Sequence, residues 1–148
     1  MAAPILEKLL LAELGEETVR KAFRILSAGV SAGEGGPATK EAEETLRAEG
    51  IDLSRHRARQ LRKADLDQAD LVLTMTSDHK NLVLKAHPEA GEKVYTLLEY
   101  GSKGMPVDIP DPFGQGLEVY RQCAETIKEA LKAIIPRLKI HLENKEDN

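Results

Sequence analysis

The sequence predicts an α/β fold, a three-layer sandwich in which a small parallel sheet is flanked by helices. Two patterns carry that expectation. Residues 70–75, DLVLTM, form a nearly continuous apolar run, as a strand buried on both faces requires. Tyr120, Cys123, Ala124, Ile127, Leu131, Ile134, Ile135 and Leu138 keep a 3.6-residue apolar face, the mark of an amphipathic helix against a core. Strand patterns alternating with helical ones then imply parallel strands joined by helical crossovers.

Taken in order, Ile5, Leu6, Leu9, Leu10 and Leu14 form a first helical stripe, opened by Pro4 and closed by Gly15. FRILSAGV, residues 23–30, reads as a short strand ending in small residues. A second helix is expected from Pro37 to Gly50, with Ile51 covering its cap. A third, short one falls at residues 63–69, before the strand at 70–75. Ser77 or Asp78 is then a candidate cap for a helix that must end before Pro88. KVYTL, residues 93–97, is another strand, and residues 101–116 form a loop rich in Gly, Pro and Asp. The last helix carries Pro136, expected to bend or loosen its end. Residues 1–138 read as one domain and residues 139–148 as a charged tail, in which HLENKEDN, residues 141–148, has little to bury and is expected to fray. The chain opens directly on a helix, where α/β folds of this kind usually open on a strand.

Composition narrows the function classes. The 148 residues suit a single domain, and 21 basic against 25 acidic side chains give a formal net charge of -4. There is no basic stripe with interleaved aromatics, so nucleic acid is not expected as a partner. The basic stretch RHRARQLRK, residues 55–63, reads as a solvated loop and helix start. One cysteine suits a reducing cytoplasm. The longest apolar run, residues 9–12, falls far short of the roughly 20 residues a membrane span needs. A soluble, cytoplasmic protein without a membrane partner is therefore expected.

Candidate chemistry is sparse. In VDIPDPFGQG, residues 107–116, Asp111 stands between two prolines that restrict the backbone. It is either a turn residue or a carboxyl group held for proton transfer. Cys123 lies on the apolar stripe of the last helix, where a thiol behaves as a small inert hydrophobe. A Cys-x5-Arg phosphate loop would need arginine at 129, and Glu129 stands there. His56, His79, His87 and His141 have no short metal-ligand spacing, so no metal and no cofactor are expected. SAGEGG, residues 31–36, lacks the lysine and hydroxyl residue of a nucleotide-binding loop.

Four runs nonetheless stand together in order: residues 25–61, 69–80, 93–100 and 108–127 (ADLVLTMTSDHK, KVYTLLEY and DIPDPFGQGLEVYRQCAETI are the last three). In this arrangement the chain resembles the low-molecular-weight protein phosphatases, in their bacterial tyrosine and arginine branch. The resemblance implies that Asp111 is a general acid and that Phe113 walls the substrate cleft. It implies that Ser27 and His56 brace a phosphate-binding loop by hydrogen bonds, and that Cys123 is not catalytic. The substrate it implies is a phosphorylated protein, dephosphorylated through a phosphocysteine without a metal. The family begins with a strand and a loop of the type C-x-G-N-x-C-R-S-P-M-A, and Met1-Ala2 matches that motif's end. The expectation is therefore a truncated chain, inactive as given, whose central first strand, nucleophile and arginine lie upstream. A sheet lacking that strand would favour self-association. A catalytically dead binding module of the same fold is the alternative, and an arsenate reductase relative a lesser one, since those use additional cysteines.

Overall fold

In the computed structural model the described residues are 1–29, 34–102 and 108–146. Parts of the SAGEGG and 101–116 loops, residues 30–33 and 103–107, and the last two residues lie outside them. The elements in chain order are α1 (Ala2–Leu14), α2 (Glu16–Ala22), α3 (Lys40–Arg47), α4 (Lys63–Gln68), β1 (Val72–Thr74), α5 (Ser77–Ala86), a 3-10 turn (Pro88–Lys93), β2 (Val94–Thr96), α6 (Leu97–Ser102) and α7 (Leu117–Glu146).

β1 and β2 pair in parallel, Val72 against Val94 and Thr74 against Thr96, with α5 as the crossover. The fold is therefore α/β with a small parallel sheet flanked by helices, as the alternation predicted. Its core is organised by α7, which presents Tyr120, Ile127, Leu131 and Ile134 to α1, α3 and α6. Leu10, Leu46, Leu97, Leu131 and Ile134 are fully buried, each contributing roughly 1.5–3 kcal/mol by leaving water. A second, smaller cluster under α5 joins Leu66, Val83, Ala90 and Val94.

Local chemistry explains the boundaries. The Thr39 side chain accepts the Ala42 N–H, so α3 starts at Lys40 and not at Pro37. It ends as expected: Gly50, at φ +77, donates its N–H to the Arg47 carbonyl and Ile51 to that of Leu46, closing the last turn. α5 is capped by Thr76, whose hydroxyl accepts the His79 N–H, one residue before the caps expected. Thr96 and Glu99 form a reciprocal cap at the head of α6: the Glu99 N–H bonds the Thr96 hydroxyl, and the Thr96 N–H bonds the Glu99 carboxylate. That carboxylate also pairs with Lys80 at 2.8 Å, tying α5 to α6.

One expectation fails. Residues 23–30 were expected as a strand, but residues 23–28 carry no strand assignment, and α2 occupies the stretch before them. Phe23 has an extended backbone, φ -125 and ψ 139, yet no N–H or C=O of residues 24–28 bonds another described residue. Only Gly29 meets a neighbour, through a parallel bridge to Gln60. Strand propensity is present and a ladder partner is not. Beyond Pro136, where a bent or loosened end was expected, α7 runs on to Glu146. Leu138 is buried, Arg137 stacks on the Tyr100 ring at 3.9 Å and donates to the Tyr100 carbonyl, and Lys139 pairs with Glu13 at 2.6 Å. These contacts hold the helix beyond the proline.

Candidate active site

The aspartate-proline loop lies between the end of β1 and the start of α7. Ile109, 2% exposed, anchors it in the core, and its N–H donates to the Met75 carbonyl at 2.9 Å. Pro110 and Pro112 fix two φ angles on either side of Asp111. Asp111 itself is exposed, and its Oδ1 accepts the Phe113 N–H at 3.0 Å, a local turn made by the aspartate side chain. Gly114, at φ +80, and a bond from the Gln115 N–H to the Pro112 carbonyl complete the reversal. Gly116 then offers its carbonyl to Val119 and Tyr120 and starts α7. The result is a carboxylate held at the surface by a backbone with few free torsions.

Phe113 stands beside it, 73% exposed. An aromatic ring so open gains little from the fold, and it offers an apolar face to whatever approaches Asp111.

The Met1 ammonium and the Cys123 thiol lie within electrostatic reach of Asp111, and His56 within reach of that same ammonium. Burial of the Met1 α-amino group pushes its pKa down, against the opposing pull of Cys123 and Asp111. Burial pushes the Cys123 thiol up; the Met1 ammonium opposes this and the Asp111 charge adds to it. His56 is held below its ordinary value by burial, then by the Met1 ammonium and by Arg57, so its imidazole is neutral at pH 7.

The geometry assigns Cys123 a packing role. Its Sγ–H points to the Pro110 carbonyl at 3.8 Å, from the second turn of α7 and against the core. A thiol with a raised pKa in that position is not an activated nucleophile. Arg57 is equally committed, donating from Nη1 to the Ser54 and His56 carbonyls at 3.1 and 2.7 Å. Ser27 lies exposed in the unladdered run, and its hydroxyl has no partner among the described residues. Asp111 and Phe113 thus share one turn, His56 is linked to Asp111 only through the charge of the Met1 ammonium, and Ser27 is not bonded to His56. Among the described residues no cluster of three or more His, Cys, Asp or Glu is arranged to hold a metal ion. No helix is long and apolar enough to cross a membrane among those residues.

Comparison with known proteins decides the family. The sequence matches the low molecular weight phosphotyrosine protein phosphatase family over residues 2–145. The chain belongs to that family. Among its relatives, a protein-arginine-phosphatase of Geobacillus stearothermophilus is 40% identical over 122 residues, covering 82% of this chain and 78% of the relative. A probable low molecular weight protein-tyrosine-phosphatase, EpsP, of Ralstonia nicotianae is 34% identical, covering 78% and 77%. The solved YwlE arginine phosphatase from Geobacillus stearothermophilus superposes with a TM-score of 0.84 at 35% identity, covering 97% of this chain and 86% of that one. The resemblance read from the four sequence runs is therefore correct.

Sequence reasoning missed the anchors of the aspartate-proline loop. Neither the Met75 carbonyl nor the contact of Asp108 with Ser77 leaves a periodicity or a motif. The one available signal was the repeated aspartate in DIPD.

Proposed function

We propose that this chain carries the scaffold and the general acid of a protein phosphatase acting on phosphotyrosine or phosphoarginine. The observation that carries the reading is Asp111, an exposed carboxyl group on a proline-restricted loop beside an open aromatic ring. In this reading Asp111 protonates the leaving oxygen or nitrogen and then activates water for hydrolysis of a phosphocysteine. Phe113 packs on the substrate side chain, and Ser27 and His56 support the phosphate-binding loop in a full-length form that carries one. The partner is a phosphorylated protein, and the setting is the cytoplasm. Relatives named as arginine and tyrosine phosphatases support both substrate classes.

The 148 residues themselves supply the acid but no activated thiolate, since their one cysteine, Cys123, has its thiol pushed up by burial. The purified 148-residue chain is therefore expected not to turn over p-nitrophenyl phosphate or phosphoarginine above a protein-free control. Turnover that vanishes in Asp111→Ala would overturn this inactivity and the dismissal of Cys123 together.

A second reading rests on the unladdered residues 24–28, where Leu26 is 54% exposed and the backbone bonds no described neighbour. A segment whose N–H and C=O groups bond no described neighbour can accept a strand, so the chain acts as a binding module that pairs with a second copy. Sedimentation over a wide concentration range tests it. A reversible dimer that Leu26→Lys dissociates supports pairing, and a monomer throughout refutes it.

A further inference from the structure

Asp108 is placed so that one carboxylate oxygen does two things at once. Its Oδ1 accepts the backbone N–H of Ser77 at 2.8 Å and the Ser77 hydroxyl at 2.9 Å. Ser77 is the first residue of α5, so that N–H is one of the donors a helix leaves without an internal partner. Thr76 satisfies the His79 N–H, and Asp108, 31 residues away, satisfies Ser77. A carboxylate at the positive end of a helix makes the stronger, charge-assisted kind of hydrogen bond.

The consequence falls on Asp111. Asp108 is bound to α5, the next residue, Ile109, to the end of β1 through Met75, and the residue after that, Pro110, to α7 through the Cys123 S–H. Three successive residues are thus held immediately before the acid, two by the β1–α5 corner at Met75 and Ser77 and one by α7. Pro110 has its φ locked by its ring, so little torsional freedom remains between the tethers and the Asp111 carboxyl group. A general acid must reach its leaving group within about 2.6–3.2 Å. A misplacement on the order of 1 Å can cost about 100-fold in rate.

We infer that Asp108 is a positioning residue: its double bond to Ser77 docks the acid loop on α5 and fixes where the Asp111 carboxyl group stands. The inference rests on the reading of Asp111 as the acid. A plain helix cap would stabilise α5 and leave the loop's order untouched, whereas a tether controls order at residues 109–113.

Backbone 15N relaxation on the 148-residue chain separates the two, because it needs no turnover. In the unaltered chain the order parameters of Ile109, Asp111 and Phe113 are expected near the rigid value of about 0.85. Asp108→Ala is expected to drop them below about 0.6 while α7 stays rigid. Asp108→Asn keeps an oxygen that can accept both bonds and is expected to restore the order. Unchanged order parameters in Asp108→Ala, with the Ser77 amide resonance shifted, would reduce Asp108 to a cap and overturn the inference. Should Asp108→Ala fail to fold, Ser77→Pro decides. It removes both donors, suits the first position of a helix, and follows a residue already extended at φ -130, ψ 158. A loosened loop in that variant supports the tether, and a rigid one overturns it. Either result leaves the catalytic assignment of Asp111 to the turnover assays, so the two failures are distinguishable.

Discussion

Residues 23–28 and β1 invite comparison, because both are short, apolar, β-branched or aromatic stretches with the composition of buried strands. β1 lies against β2 in a parallel ladder, its crossover helix capped by Thr76 and its end used as an acceptor by Ile109. Residues 23–28 follow α2; Phe23 only closes that helix on the Val19 carbonyl, the backbone of 24–28 bonds nothing described, and Leu26 stands half in solvent. Strand character in the first case comes from a neighbour three residues long, not from the stretch itself. Propensity lowers the cost of an extended backbone, and cross-strand bonds and packing decide whether a strand forms.

Substitutions can break or sharpen that contrast. On the laddered side, Leu97→Ala removes a fully buried side chain immediately after β2 and should cost about 2–5 kcal/mol, read from urea unfolding. Thr96→Val should cost about 1–2 kcal/mol in the same measurement, since it deletes the hydroxyl that caps α6 and leaves the Glu99 N–H unpaired. On the other side, Leu26→Ala should change stability by no more than about 0.5 kcal/mol. A loss comparable with that of Leu97→Ala would mean that residues 23–28 are packed as a strand in solution. Asp111→Ala should be equally silent in unfolding, about 0.5 kcal/mol or less, because its carboxyl group is exposed and bonds only its own turn.

The Lys80–Glu99 pair adds a pH dependence to the laddered side. The hydrogen bond from Lys80, then that from the Thr96 N–H, holds the Glu99 carboxyl below its ordinary value. A depressed acid binds fewer protons folded than unfolded, so its contribution is present above the unfolded value of about 4.3 and is lost as pH falls through the folded one. Glu99→Gln should therefore flatten the acidic limb of a stability-pH curve. An unchanged limb would show that Glu99 gains nothing from Lys80.

Much of the site was legible because chain-local chemistry makes it. Asp-Pro with a second proline before it and glycines after it describes a restricted turn whatever surrounds it, and Asp111 with Phe113 is found on one. Cys123 was read correctly as a packing residue from its helical face alone, and the structure adds a contact to the Pro110 carbonyl. Ser77 was read as a cap candidate. Thr76 caps instead, and Ser77 serves the loop, a distinction that depends on Asp108 arriving from 31 residues away.

By itself the sequence determined what nearest neighbours and periodicity control: the apolar face of α7, the Gly50 stop of α3, the buried run of β1 and the stiff turn at Asp111. Only the tertiary structure decided which stretch becomes a strand, how far α7 continues past Pro136, and what holds the Asp111 loop. Those outcomes rest on partners distant in the chain: Val94 for Val72, Glu13 and Tyr100 for the end of α7, Ser77 and Met75 for residues 108 and 109. Pairings of that kind leave no period in the residues that make them, because each is set by where the folded chain returns and not by the side chain's own preference.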